Sequence, residues 1–210
     1  QRLLHHRGRP KILLTPNYET AQKFFKQFKK NMIGVISDVR FLRKGTKYSE
    51  AGLDFAKWAR EIDPSIPILL QSTQRENETM ANEVNADFLH KNSPTLLNDL
   101  RNFMVANFGF GDFVFRLPNN EEVDRASTLE QFVNGIQTSP VNSLLFHANS
   151  HHFSNWIAAR TEFRLASRLR KIFAHDFKDG ELLRKHLIKE INLNIDNPKE
   201  LGPDRIANSV

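Results

Sequence analysis

No cysteine occurs among the 210 residues, which excludes disulfides, cysteine-ligated zinc, cysteine-held iron–sulfur clusters and thiol catalysis. No window approaches the roughly eighteen consecutive apolar residues of a membrane-spanning helix, so no membrane partner is expected. Gln1–Pro10 lacks the apolar centre of a secretory leader, and the expected setting is cytoplasmic. A chain that opens on Gln1 also reads as a piece of a longer one. What is present is 40% hydrophobic and 26% charged, the balance of a globular protein, with length for one large domain or two small ones.

Charge is spread unevenly. Residues 1–110 carry 17 Lys and Arg against 11 Asp and Glu, whereas residues 111–210 carry 13 of each. The whole net +6 therefore sits in the first half. Clustered cations release condensed counterions from phosphate and so invite a nucleic-acid reading. No recognition helix, RNP-type sequence or aromatic–basic alternation accompanies them, so nucleic acid is not the expected partner.

The first half alternates strands and helices. Lys11-Ile-Leu-Leu-Thr15 is a short apolar run closed by Pro16-Asn17 and predicts a buried strand. Thr20–Lys30 places Ala21, Phe24, Phe25 and Phe28 on one face of an amphipathic helix. Gly34–Asp38 predicts a second buried strand, residues 39–51 a basic loop, and Gly52–Ile62 a helix. Ile68–Ser72 is a third strand, Asn77–Val84 a polar helix and Ala86–Lys91 a fourth strand; Asn92-Ser-Pro94 is expected to cap a helix running to about Asn107. This alternation argues for an α/β fold with a parallel sheet covered on both faces. Such sheets bind ligands at the carboxyl ends of their strands. Asp38, Ser72 and Lys91 all sit at that end: a carboxylate that can accept a phosphoryl group, a hydroxyl that can bind its oxygen, and an ammonium that can neutralise it.

Val35-Ile-Ser-Asp38, Pro67-Ile-Leu-Leu-Gln-Ser72 and Asp87-Phe-Leu-His-Lys91 resemble the signature positions of a response-regulator receiver domain, a flavodoxin-like fold. The resemblance implies Asp38 as phosphoacceptor, Ser72 as switch hydroxyl, Lys91 as phosphoryl contact and Phe88 as the aromatic switch position. It makes the backbone carbonyl of Arg40 a magnesium ligand beside Asp38, and a histidine kinase the possible phosphoryl donor. The family's acidic pair after its first strand is missing, so the receiver-like domain would be incomplete, with strand 1 and most of helix 1 upstream of Gln1. Mg2+ is therefore expected only when those upstream acids are present. The Met-Pro usual after the Asp is Phe41-Leu42, the loop before Gly52 is longer than usual, and Asn92 stands where a Pro follows the Lys.

Arg9–Leu14, Gly34–Phe41, Lys91–Leu97 and Phe108–Phe115 are also similar to a bacterial family of large proteins akin to phosphoenolpyruvate synthase and pyruvate phosphate dikinase. That resemblance implies a regulatory segment of a phosphotransferase, not itself an enzyme, whose partners are the nucleotide- and PEP-binding domains of the same polypeptide. The alternative from the residues alone is a constitutive docking or dimerisation module without phosphotransfer. An apolar sheet lacking a strand would also favour a homodimer.

The second half reads as a small, mostly helical α+β domain over 109–195, after a receiver-like domain over 1–108 and before a Pro- and Asn-rich linker over 196–210. Gly111–Arg116, Pro118-Asn-Asn120 and Glu121–Ala126 predict a hairpin. Ser127-Thr128 caps a helix with Leu129, Phe132, Val133 and Ile136 on its apolar side. One long amphipathic helix is expected through Trp156, Phe163 and Leu169, and another over roughly Gly180–Leu193. His147 and His151, four apart, have the spacing of a metal pair on one helix face, but Asn149-Ser150 and the lack of a neighbouring acid favour structural histidines. Leu144–His147 with Asn155–Ala158 resembles a small module of uncharacterised multidomain bacterial proteins. Arg160, Arg164, Arg168 and Arg170 are expected to line a solvated helix face, with anion or partner binding as the alternative.

Overall fold

A computed structural model describes residues 10–196, which form two compact units parting between Gly111 and Asp112. The expected linker over 196–210 lies almost wholly outside the described residues.

The first unit is α/β with a small parallel sheet. Its helix α1 (Tyr18–Phe28) starts where the Asn17 side chain accepts a hydrogen bond from the Thr20 N–H at 2.9 Å, satisfying one of the free donors of the first turn. Strand β1 (Val35–Asp38) follows, then a hairpin of β2 (Phe41–Arg43) and β3 (Thr46–Tyr48), helix α2 (Ala51–Ile62), strand β4 (Ile68–Ser72), helix α3 (Asn77–Glu83), strand β5 (Asp87–His90) and helix α4 (Leu96–Asn107). The sheet order is β1-β4-β5, all parallel, with Asp38 opposite Gln71 and Ser72 opposite His90.

Central strand β4 shows why an apolar run here reads as a strand buried on both faces. Successive side chains point to opposite sides. Ile68 and Leu70 join Phe25, Phe55, Ala56, Ala59 and Ala81 in one core, while Leu69 joins Leu89, Phe103 and Phe108 in another. Helices α1, α2 and α3 thus cover one face and α4 the other. Each fully buried Leu or Ile contributes about 1.5–3 kcal/mol by leaving water, so the three β4 residues hold both layers to the sheet. Gly52 lets α2 approach the end of β1: a Cβ there would stand 2.2 Å from the Asp38 carbonyl oxygen and 2.9 Å from the Val39 Cα. The Gly52 N–H donates to the Val39 carbonyl at that contact.

Four expectations change. Strand β1 is not buried: Ile36 is 41% exposed and Val35, Ser37 and Asp38 are half-buried, because β1 stands at the edge of the sheet formed by the described strands. Lys11–Thr15 is not a strand; Ile12 and Leu14 lie 85% and 86% exposed. A strand needs a ladder, and β1 pairs only with β4 among the described strands, so the apolar run has no backbone partner to order it. The basic loop over 39–51 instead folds its middle into the β2–β3 hairpin. Lys44 and Gly45 occupy its two-residue turn at φ 50° and 79°, the positive-φ pair that matches strand twist in hairpin turns. The N-cap of α4 is Thr95 rather than a residue of Asn92-Ser-Pro94; its N–H donates to the Ser93 Oγ at 3.3 Å and its hydroxyl donates to Asp99 at 2.7 Å.

The second unit packs an antiparallel hairpin, β6 (Phe113–Arg116) and β7 (Glu122–Ala126), with helices α5 (Leu129–Thr138), α6 (Val141–Asn149), α7 (His152–Ala158), α8 (Phe163–Leu169) and α9 (Gly180–Asp196). Helix α5 opens on a capping box: Thr128 accepts from the Gln131 N–H while the Gln131 side chain accepts from the Thr128 N–H. Its face Leu129, Phe132 and Ile136 enters a core with Phe113, Phe115, Trp156 and Leu183, where Phe132 stacks on Trp156 at 4.6 Å between centroids. The single long helix expected through Trp156 and Leu169 is two helices. Thr161 sits at φ 66°, and the Thr161 and Glu162 N–H groups return to the Ala158 and Ile157 carbonyls, a Schellman closure that ends α7 without glycine.

Candidate functional site

Parallel strands deliver their terminal residues to one edge of a sheet, and in the first unit this brings two of the expected groups into contact. The Lys91 Nζ, one residue past β5, lies 2.6 Å from the Asp38 Oδ1 at the end of β1, reaching across the end of β4. The backbone fixes both ends of that reach. The Lys91 N–H donates to the Ser72 carbonyl, and the Val39 N–H donates to the Gln71 carbonyl, so residues flanking both charged groups are tied to β4. The two side chains are 34% and 44% exposed, and such a solvated pair adds at most about 1 kcal/mol to stability. Its importance is chemical, because it places an ammonium on an accessible carboxylate oxygen.

Ser72 ends the strand between them, but its hydroxyl oxygen accepts from the Asn77 side-chain amide at 2.8 Å and the Gln74 N–H at 3.1 Å. It is thus held by the start of α3 and keeps its own proton to donate. Phe88 is half-buried against the core of β4, α2 and α3, and Arg40 is exposed. Next to Ser72, the His90 Nε2 meets the Thr73 carbonyl at 2.9 Å, a contact that motif spacing alone does not announce.

Magnesium needs several hard oxygen ligands around one ion. Among the described residues no group of three or more His, Asp or Glu side chains converges, and an ammonium already contacts Asp38. The residues present do not fit the ion.

In the second unit the expected histidine pairing changes. His151 takes φ 54° and turns the chain between α6 and α7, with its ring edge-on to Phe173. The partner of His147 is His152: their Nδ1 atoms lie 2.9 Å apart among Phe113, Phe146 and Phe153. The Arg116 backbone N–H donates to the His147 Nε2 at 2.8 Å. A backbone N–H can only donate, so that nitrogen carries no proton; His147 then donates from Nδ1, and His152 accepts. Burial lowers the pKa of His147 to about 3, with the His152 and Arg116 charges adding to the effect. Burial, then the nearby His151 charge, lowers that of His152 to about 4. The structural reading of these histidines stands in preference to a metal pair, through a contact five residues apart that helix-face spacing does not suggest.

The arginines also differ from a solvated face. Arg160 lies over the Trp156 ring at 3.3 Å from its centroid and donates to the Trp156 carbonyl; burial lowers its pKa to about 10. Arg168 pairs with Glu190 at 2.9 Å, and Arg170 donates to the Asn155 side chain at 3.1 Å. Arg164 is exposed and the Arg168 side chain is 41% exposed, while Arg160 and Arg170 are half-buried. Arg168 thus ties α8 to α9 and Arg170 ties the end of α8 to α7, while Arg160 folds back onto α7.

No family model, curated protein or solved structure matches the chain. The chemistry of the Asp38 edge and the topology behind it carry the functional reading.

Proposed function

We propose that residues 10–111 form an incomplete flavodoxin-like receiver domain, and that the chain is a regulatory phosphoacceptor segment of a phosphotransferase akin to phosphoenolpyruvate synthase or pyruvate phosphate dikinase. The observation that carries the reading is the 2.6 Å contact of Lys91 with Asp38 across the end of β4. The order β1-β4-β5 supports it, being that of the third, fourth and fifth strands of a receiver, as does Ser72 at the end of the intervening strand. In the proposed step an Asp38 carboxylate oxygen attacks the phosphorus of an acyl phosphate or phosphohistidine donor. A P–O bond forms to Asp38 and the bond to the donor breaks, the donor leaving with that electron pair. The phosphoryl group adds about one to two negative charges. Lys91 then turns to its oxygens and Ser72 donates to one of them, which draws Ser72 from Asn77 and shifts the α3 side of the sheet where Phe88 packs. The partners in this reading are nucleotide- and PEP-binding domains of the same polypeptide and a histidine kinase, in a cytoplasmic setting.

The test is intact mass after incubation with acetyl phosphate, with and without magnesium, on this chain and on any longer natural form. An adduct of one phosphoryl group that disappears in Asp38→Asn is the expected result. Its absence from every folded form tested overturns the phosphoacceptor reading.

A second reading, a docking or dimerisation module without phosphotransfer, rests on a separate observation. Ile12, Leu14 and, at 41%, Ile36 of β1 are exposed, and among the described strands β1 pairs on one side only. Uncovered strand edges recruit other chains. Sedimentation that shows dimers in the wild type and monomers in Ile12→Ser/Leu14→Ser supports that reading.

A further inference from the structure

Residues 18–48 carry eight Lys and Arg against two acids, a net +6 equal to the excess of the entire chain. The fold gathers these residues into one block of α1, β1 and the β2–β3 hairpin. Glu19, Lys23 and Lys26 are spaced i, i+4 and i+7, which puts them on one face of α1, and Lys30 follows in the short 3-10 turn beyond it. The hairpin tip continues this face, because the Lys44 N–H donates to the Glu19 Oε1 at 3.0 Å. Lys23, Lys26, Lys30 and Lys44 are all exposed, and Lys26 lies 5.7 Å over the Trp58 ring.

The acids near this face are mostly engaged. Hydrogen bonds from its own and the Lys44 N–H groups lower the pKa of Glu19, so it stays an acceptor. Asp54 pairs with Arg43, and Asp38 pairs with Lys91. Glu61 on α2 remains exposed. The result is a row of four lysine charges, with the half-buried Trp58 ring beneath Lys26.

We infer that this lysine row on α1 and the hairpin tip binds the phosphate backbone of a nucleic acid without reading its sequence. Two principles favour that partner over an acidic protein. Lysine is depleted from the cores of protein interfaces, which favour arginine and aromatic residues. A row of flexible point charges, by contrast, suits a dense line of phosphates, where binding gains from released counterions. Motif signatures of nucleic-acid recognition are absent because this contact needs charge density alone.

The test is fluorescence anisotropy with a labelled random-sequence duplex, first at about 20 mM salt and then in titration to about 200 mM. Four phosphate contacts give a log–log slope of about −3.6, or roughly a 150-fold loss of affinity from 50 to 200 mM salt. Lys23→Gln/Lys26→Gln/Lys30→Gln should bind at least about tenfold more weakly and reduce the slope towards about −1. Lys171→Gln/Lys178→Gln/Lys185→Gln, in the second unit, removes the same net charge and should leave both unchanged. Equal losses in the two triple variants would show a net-charge effect and overturn the assignment. So would no binding at the lowest salt, tighter binding to polyglutamate, or binding only to vesicles containing phosphatidylserine. Asp38→Asn leaves the expected binding intact, so this result and the phosphoacceptor reading fail independently.

Discussion

The buried pair His147–His152 makes the second unit sensitive to acid. Both imidazoles are neutral in the folded chain, with pKa values of about 3 and about 4, against about 6.5 in an unfolded one. A depressed folded pKa means that the unfolded chain takes up protons first, so stability is full above about pH 6.5 and falls as pH drops towards the folded values. One ring then loses about 1.4 kcal/mol for each pH unit below that point. From about pH 7.5 to about pH 5.5 the pair together costs about 2.7 kcal/mol, a large share of the roughly 5–15 kcal/mol that holds a domain together. The structural counterpart is specific: a proton on the His147 Nε2 meets the Arg116 N–H, and a proton on the His152 Nδ1 meets the proton of its partner. The facing charges are those of Arg116 and His151, which add to the penalty. Urea unfolding should be followed by Trp156 fluorescence in a Trp58→Phe background, since Trp156 is buried in this unit. At a slope of about 1–1.5 kcal/mol/M the midpoint should fall by about 2 M across that pH step. His147→Gln/His152→Gln should lose most of the fall. A wild-type drop below about 1 kcal/mol, or an equal drop in the double variant, would refute the reasoning.

Two further predictions concern the scaffold. Gly52→Ala forces a Cβ against the Asp38 carbonyl oxygen, so it should destabilise the first unit by about 1–3 kcal/mol in chemical denaturation and displace Asp38, disturbing the Lys91 contact. Arg184 donates to the Ile136, Gln137 and Ser139 carbonyls, which closes the carboxyl end of α5. Arg184→Met keeps the stem but orphans those carbonyls and should cost about 1.5–3 kcal/mol, measured as a lowered melting temperature of the second unit. An unchanged melting temperature would show that water satisfies them equally well.

Much of the first unit is legible because Ile68–Ser72 is an apolar run closed by polar residues and buried on two faces, while Val35-Ile36 and Phe88-Leu89 mark shorter, less buried strands on either side of it. Their parallel alignment then makes Asp38 and Lys91 neighbours. The same pattern misleads at Lys11–Thr15, since composition records strand preference but not whether a neighbouring ladder exists. The β2–β3 hairpin is hidden by its charges: Lys44-Gly45 lacks the Asn-Gly or Asp-Gly signal, although the turn geometry is of that kind. The break after α7 is unreadable for a similar reason, with Thr161 doing at φ 66° what glycine usually does. The His147–His152 contact depends on His151 adopting positive φ, a backbone choice that residue spacing does not encode.

The Lys44-Gly45 tip has a consequence for how this protein can be altered. Both residues are exposed, and a side chain added at Gly45 would meet no atom within 4 Å. Lengthening a surface loop costs only about 0.6 kcal/mol per doubling, so a peptide tag or small reporter inserted here should be tolerated. The strand that leads to this tip begins three residues after Asp38. A probe placed there would be joined to that residue by one short strand.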